Sequence, residues 1–355
     1  MSNNPIFTGC GVAIVTPFND DLSVNYKSLE NLLEFHIANG TDSIVICGTT
    51  GESATLTPKE HSDVIKFTCD VVNHRIPVIA GTGSNETAYA IELSNDAEKA
   101  GADAISSVAP FYYKLSFNEV KDYYFNVAEN VDIPMLVYNF PMYTGVTMTM
   151  KEFDQFFEND KFLGFKHTSS DFFTLERVKA KYPEKIALNG FDEMFLGGIV
   201  MGADGGIGST YNFMADKFVK IMELVKENNI AAAREIQHDI NKVVETLFSI
   251  ELMPAQKEVL NQLGYDFGNC RKPFRELTTE EKKTLMAEIV SRLEKIYPDA
   301  ACALEFDGQP WKLLIMGRLS AQCTDARVNI VCEELFKRFP DAYAMANGDL
   351  SEIEE

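Results

Sequence analysis

The chain is predicted to belong to the α/β class, as a (β/α)8 TIM barrel with additional C-terminal helices. Two observations carry this. Eight short β-branched apolar runs recur, each followed by a segment of helical spacing. The runs are apolar nearly throughout, as parallel strands covered on both faces must be. Eight such units within about 200 residues suit a closed barrel. An open doubly wound sheet would carry GxGxxG after its first strand. Here Asn19-Asp20-Asp21-Leu22 follows instead, and the later Gly81-Thr82-Gly83-Ser84 has only two glycines.

The strand-like runs are residues 12–18, 43–48, 77–81, 104–110, 134–140, 162–166, 186–189 and 205–209. Helical patterns fall between them at 26–38, 58–72, 87–100, 117–129, 150–157 and 175–182. In the first, Leu29, Leu32, Leu33 and His36 repeat at i, i+3, i+4, i+7, one face of an amphipathic helix. Beyond the last strand, 213–227, 230–248, 255–263 and 280–297 read as helices that close and pack on the barrel. The expected organisation is a barrel core at 1–212, packing helices at 213–297 and an extension of unassigned role at 298–355. That extension carries Trp311, an amphipathic stretch at 326–339 and an acidic end at 349–355, which is expected to be solvated.

The 32 Lys and Arg against 53 Asp and Glu leave a net charge of −21. Nucleic-acid binding is excluded as an expectation, because phosphate recognition needs a basic footprint. The seven cysteines are scattered without a CxxC pair, so neither a zinc site nor a disulfide framework is indicated. No basic leader and no apolar run long enough to cross a membrane are visible, and a reduced, cytoplasmic protein is expected.

Residues at the C-terminal ends of barrel strands face the active site. Lys166 ends the sixth run, after Phe162-Leu163-Gly164-Phe165. Lysine is rarely buried unless paired, and a buried amine is pushed toward its neutral, nucleophilic form. The alternative is a strand-end lysine that snorkels to water. The second strand ends in Gly48-Thr49-Thr50-Gly51-Glu52-Ser53, either a nest for a small anion or a tight turn needing glycine. Tyr138, ending the fifth, is a proton shuttle or a strand aromatic. Asp192 and Glu193, after the seventh, are an acid/base pair, ligands for hydroxyls, or a helix cap. The five histidines show no metal-ligand spacing, so no metal is expected. Together these parts compose one chemistry: an amine condenses with a 2-keto acid whose carboxylate is anchored, and the imine serves as electron sink for C–C cleavage or formation.

The sequence resembles the pyruvate-dependent aldolase family that contains N-acetylneuraminate lyase and dihydrodipicolinate synthase, over residues 7–296. GTTGE at 48–52, YNFP at 138–141 and a lysine 28 residues after the tyrosine match in combination. By that resemblance Lys166 is the Schiff-base lysine and Tyr138 the proton-relay phenol, and Thr49 and Thr50 hold the pyruvate carboxylate. Tyr112 corresponds to the tyrosine that, in the synthases, completes a relay across the subunit interface.

GTTGESATLT and IPVIAGTGSNET look like the synthase branch. The synthases, however, carry an arginine within YNxPxRTG that grips a second carboxylate. This chain has Tyr143 there, which cannot make a bidentate charge-assisted pair. Toward the C-terminus GFDE at 190–193, GADGGIGSTYN at 202–212 and CRKPF at 270–274 are similar to the lyase branch. That similarity implies that Asp192, Glu193 and Ser209 contact a polyhydroxyl chain, that Gly190 lends a backbone group, and that Thr168 sits near the reacting carbons. The implied activity is cleavage of N-acetylneuraminate (sialic acid) to N-acetyl-D-mannosamine and pyruvate, without metal or cofactor, in a homotetramer. Synthase or other 2-keto-acid aldolase activity is the alternative. A non-catalytic barrel protein with the extension as an interaction arm is the reading from a different class.

Overall fold

Eight parallel strands pair in chain order and β8 closes on β1, making a complete barrel. The computed structural model describes residues 7–296, 304–320 and 325–348. The strands are β1 (Gly9–Ala13), β2 (Ser43–Ile46), β3 (Val78–Gly81), β4 (Ala104–Val108), β5 (Met135–Asn139), β6 (Phe162–His167), β7 (Ile186–Asn189) and β8 (Gly205–Gly208). The intervening helices are α1 (Tyr26–Ala38), α2 (Pro58–Val72), α3 (Thr87–Ala100), α4 (Phe117–Glu129), α5 (Pro141–Thr144), α6 (Met150–Phe157), α7 (Phe172–Lys181) and α8 (Phe195–Val200). After β8 come α9 (Tyr211–Lys226), α10 (Ile230–Ile250), α11 (Leu252–Gln262) and α12 (Thr279–Ile296).

Local signals account for many boundaries. Thr57 and Glu60 form a capping box with Pro58 at the start of α2, and Ser116 and Glu119 form another before α4. Leu29, Leu32, Leu33 and His36 are all buried on α1, as their spacing predicts.

The first strand departs from expectation. It spans Gly9–Ala13 rather than 12–18, because its register is set by glycine, a poor strand former in isolation. Gly9 pairs with Gly205, and a Cβ on Gly205 would lie 1.9 Å from the Gly9 carbonyl oxygen. Only glycine lets these two backbones close the barrel. Residues past Ala13 are satisfied by other partners: Val15 N–H donates to Asn212 Oδ1, and Phe18 N–H to the Phe267 carbonyl. In α7 the helix begins at Phe172 rather than 175, because the Asp171 side chain caps Thr174 N–H.

Two apolar layers follow from strand alternation. Ala13, Val45, Ile79, Ala104, Leu136, Leu188 and Ile207 fill the barrel interior, while Met135, Val137 and Phe165 belong to the layer between strands and helices. On β6 the alternation is interrupted. Phe162 faces Met135 and Gly164 faces Leu136, so Leu163 is an extra residue against β5. Such an insertion reverses which side chains face inward beyond it. Leu163 packs on the interior cluster, yet Phe165, two residues on, packs outside. Lys166 thereby comes to share a side with Tyr138.

The chain separates into two compact units, Met1–Glu288 and Ile289–Glu355. Within the second, α13 (Pro310–Ser320), α14 (Asp325–Arg338) and α15 (Ala342–Ala346) are formed. Leu304, Met316, Val328 and Cys332 make its own small core, with Trp311 edge-on to Phe336. The acidic end at 349–355 and Cys302 and Cys323 lie outside the described residues. Among the described residues no helix is long and apolar enough to cross a membrane.

Candidate active site

The C-terminal ends of β2, β5, β6, β7 and β8 carry the polar residues singled out above. Lys166 is only 9% exposed, pairs in register with Tyr138, and lays its Nζ 4.2 Å from the centroid of the Tyr138 ring. The ring face attracts a cation.

Asp192 lies in a 3-10 turn, Asp192–Met194, that follows β7. Its Oδ2 accepts from Thr210 N–H at 2.8 Å and Thr210 Oγ1 at 2.7 Å, and Ser209 Oγ stands 3.5 Å away. Burial pushes its carboxyl pKa up, while the Thr210 bonds and the Lys166 charge pull it back. Gly208 makes the room: a Cβ there would stand 2.2 Å from Asp192 Oδ1. Glu193 is half-buried, and burial, then the Asp192 charge, raises its pKa. Thr168 is buried against Gly190, where a Cβ would meet Thr168 Oγ1 at 1.9 Å. That hydroxyl has no hydrogen-bond partner within the protein.

The Gly48–Glu52 turn is held from within and from behind. Gly51 N–H donates to the Gly48 carbonyl, Glu52 N–H to that of Thr49, and Thr16 Oγ1 to that of Gly51 at 2.7 Å. Thr49 is exposed and Thr50 buried. Glu52 sits at φ +54°, with its carboxylate turned into the protein to pair with Lys257 Nζ at 2.7 Å and accept from Arg271 N–H at 3.0 Å. Burial pushes the Lys257 pKa down and the Glu52 charge opposes it. Lys257 and Arg271 both stack on the Phe18 ring, at 3.9 Å and 4.4 Å.

Tyr112 does not join this buried group. It is 87% exposed at φ +102°, edge-on to Tyr113. Tyr143 is also exposed and stacks on Phe140 at 4.3 Å, and Phe140 stacks on Tyr138 in turn. His36, His61 and His167 are buried with pKa values pushed down by burial, His36 to about 4. His167 Nδ1 faces Asn139 Nδ2 at 3.0 Å and its Nε2 faces the Asp171 carbonyl at 3.0 Å, which assigns the proton to Nε2. Among the described residues no cluster of three His, Cys, Asp or Glu side chains is arranged to hold a metal ion.

Sequence reasoning missed Lys257, Gln237 and Asn212. Asn212 Nδ2 ties the Ser209 and Ala13 carbonyls together across the barrel seam. Arg271 falls inside CRKPF, whose buried role the motif alone did not reveal.

The model of the dihydrodipicolinate synthetase family matches residues 6–292. The chain belongs to this family. Over 270 residues it is 37% identical to an N-acetylneuraminate lyase of Fusobacterium nucleatum, covering 76% of this chain and 93% of the relative. The crystal structure of that organism's lyase complexed with pyruvate superposes with a TM-score of 0.76 at 35% identity, over 80% of this chain and 96% of that one. CdNal from Clostridium difficile, solved with mannosamine, gives a TM-score of 0.78 at 35% identity over 81% of this chain and 99% of that one. A dihydrodipicolinate synthase from Aquifex aeolicus gives 0.76 at 33%, over 82% and 98%. The protein is therefore an aldolase of this family. Backbone likeness alone does not separate its two branches.

Proposed function

We propose that the protein cleaves N-acetylneuraminate to N-acetyl-D-mannosamine and pyruvate through a Schiff base on Lys166. The observation that carries this is the pairing of buried Lys166 and Tyr138 beside a carboxylate-bearing turn, with Tyr143 rather than a guanidinium at the mouth.

The Lys166 amine attacks the C2 ketone of the open-chain sugar, and loss of water gives the imine. Thr49 and Thr50 hold the substrate carboxylate. Tyr138 relays the proton away from the C4 hydroxyl as the C3–C4 bond breaks. The bonding pair flows to the iminium nitrogen, leaving an aldehyde sugar and an enamine. Protonation of the enamine at C3 and hydrolysis release pyruvate and the free amine. Asp192, Glu193 and Ser209 accept and donate along the hydroxyls, Gly190 lends a backbone group, and the unpartnered Thr168 hydroxyl faces the reacting carbons. Carboxylates suit a polyol as acceptors and repel a dicarboxylate.

A cytoplasmic homotetramer is part of the proposal, with exposed Tyr112 available to a partner subunit. The competing reading is the synthase reaction, favoured by the GTTGESATLT segment. Assaying cleavage of N-acetylneuraminate against condensation of pyruvate with aspartate semialdehyde decides between them. Turnover in the second assay alone would overturn the lyase assignment.

A further inference from the structure

We propose that Gln237 is a positioning residue for the polyhydroxyl side of the site: from α10 it fixes the turn that aims Asp192 and Glu193. The assignment rests on the lyase function proposed above.

Gln237 is buried and uses both ends of its amide on one short segment. Its Nε2 donates to the Asp192 carbonyl at 3.0 Å, and its Oε1 accepts from Leu196 N–H at 2.8 Å. A third bond, from Nε2 to Asn241 Oδ1 at 2.8 Å on the same helix, orients the amide. The segment cannot supply these partners itself. Phe191 precedes the 3-10 turn and Met194 precedes α8, and neither gives a side-chain cap. Helix starts leave N–H groups that need acceptors from elsewhere, and here the acceptor arrives from 41 residues away.

Asp192 is consequently pinned from two directions. Its carboxylate is held by Thr210 at the end of β8, and its carbonyl by Gln237. Glu193, the next residue, takes its direction through the same backbone. The pyruvate side has separate supports: the β2 turn is held by Thr16, Lys257 and Arg271, and Lys166 is held in the β5–β6 register. Releasing Gln237 should therefore disturb recognition of the sugar and spare imine formation with pyruvate.

The test compares full-length wild type with Gln237→Met, which keeps volume and loses both bonds, and Gln237→Glu, which keeps an acceptor for Leu196 N–H but turns an acceptor toward the Asp192 carbonyl. Three quantities are read: KM and kcat for N-acetylneuraminate, the pyruvate concentration giving half-maximal borohydride trapping, and Tm. KM is expected to rise about tenfold in Gln237→Met, with half-trapping unchanged within about twofold. Gln237→Glu is expected to share the KM defect. A folded Gln237→Met with wild-type KM would overturn the proposal. So would KM and half-trapping worsening by the same factor, which marks a general disturbance of the barrel. Should Gln237→Met not fold, Gln237→Glu decides by the same criteria. Failure of the lyase assignment looks different: wild type traps pyruvate yet does not cleave the sugar, and the role given to Gln237 falls with it.

Discussion

Lys166 Nζ lies 4.2 Å from the centroid of the Tyr138 ring, and the two residues face each other on β6 and β5. The unpaired Leu163 brings this about: beyond it Phe165 faces outward and Lys166 shares a side with Tyr138, whereas unbroken alternation from Phe162 would turn Leu163 and Phe165 inward. Deleting Leu163 removes only the unpaired residue and leaves Phe165 opposite Val137 and Lys166 opposite Tyr138, so a folded deletion variant is expected to keep borohydride trapping. Loss of trapping in a folded deletion variant would contradict this geometry.

Tyr138→Phe keeps the ring against Lys166 and removes the hydroxyl. General acid–base groups contribute about 10²–10⁴-fold. The variant is expected to lose kcat for sugar cleavage by a factor in that range while still forming the pyruvate imine. Steady-state kinetics beside trapping would reveal it.

Asp192→Asn should separate function from stability. Burial raises the folded-state pKa of Asp192 above its unfolded value, so ionising it costs stability as pH rises through the interval from the unfolded to the folded pKa. Below the unfolded pKa both states are protonated and the cost vanishes. At neutral pH the asparagine variant is therefore expected to melt no lower than wild type, yet to bind the sugar more weakly. Melting curves and KM measured together test this, and a large fall in Tm would contradict it.

Glu60 behaves in the opposite sense. Its hydrogen bonds with the Arg271 guanidinium hold its carboxyl down at about 2. The stabilising contribution is complete above the unfolded value and is lost as pH falls through the folded one. Glu60→Gln is expected to flatten the acid limb of the stability curve between about pH 5 and pH 2. Urea midpoints across that range provide the check.

Lys257→Met would leave the Glu52 carboxylate buried without its partner. Breaking a buried pair from one side costs about 3–5 kcal/mol. Adding Glu52→Gln is expected to recover a substantial part of that loss, which a double-mutant cycle in urea would measure.

The legible parts of the molecule were those with local or motif-level signals. Helices with capping boxes and a regular apolar face, such as α2 and α4, were legible to the residue. The placement of Lys166, Tyr138 and the Asp192–Glu193 turn at the C-terminal ends of strands was legible because the eight-strand pattern orders those ends on one face of a barrel. β1 was misplaced because Gly9 is chosen for close approach to Gly205, which no strand propensity rewards. Lys257 and Gln237 were invisible for another reason. Their partners Glu52 and Asp192 lie on distant segments, and a lysine or glutamine on a helix looks solvated until the fold buries it. Tyr112 entered only through the resemblance, as the counterpart of a relay tyrosine at a subunit interface, and its exposure came only with the structure.

The most direct measurement is reduction with borohydride in the presence of pyruvate, followed by peptide mass mapping. The expected result is one stable adduct, on Lys166, formed with either pyruvate or N-acetylneuraminate and missing from Lys166→Ala. No adduct in the wild type, or an undiminished adduct in Lys166→Ala, would contradict a Schiff base at this lysine.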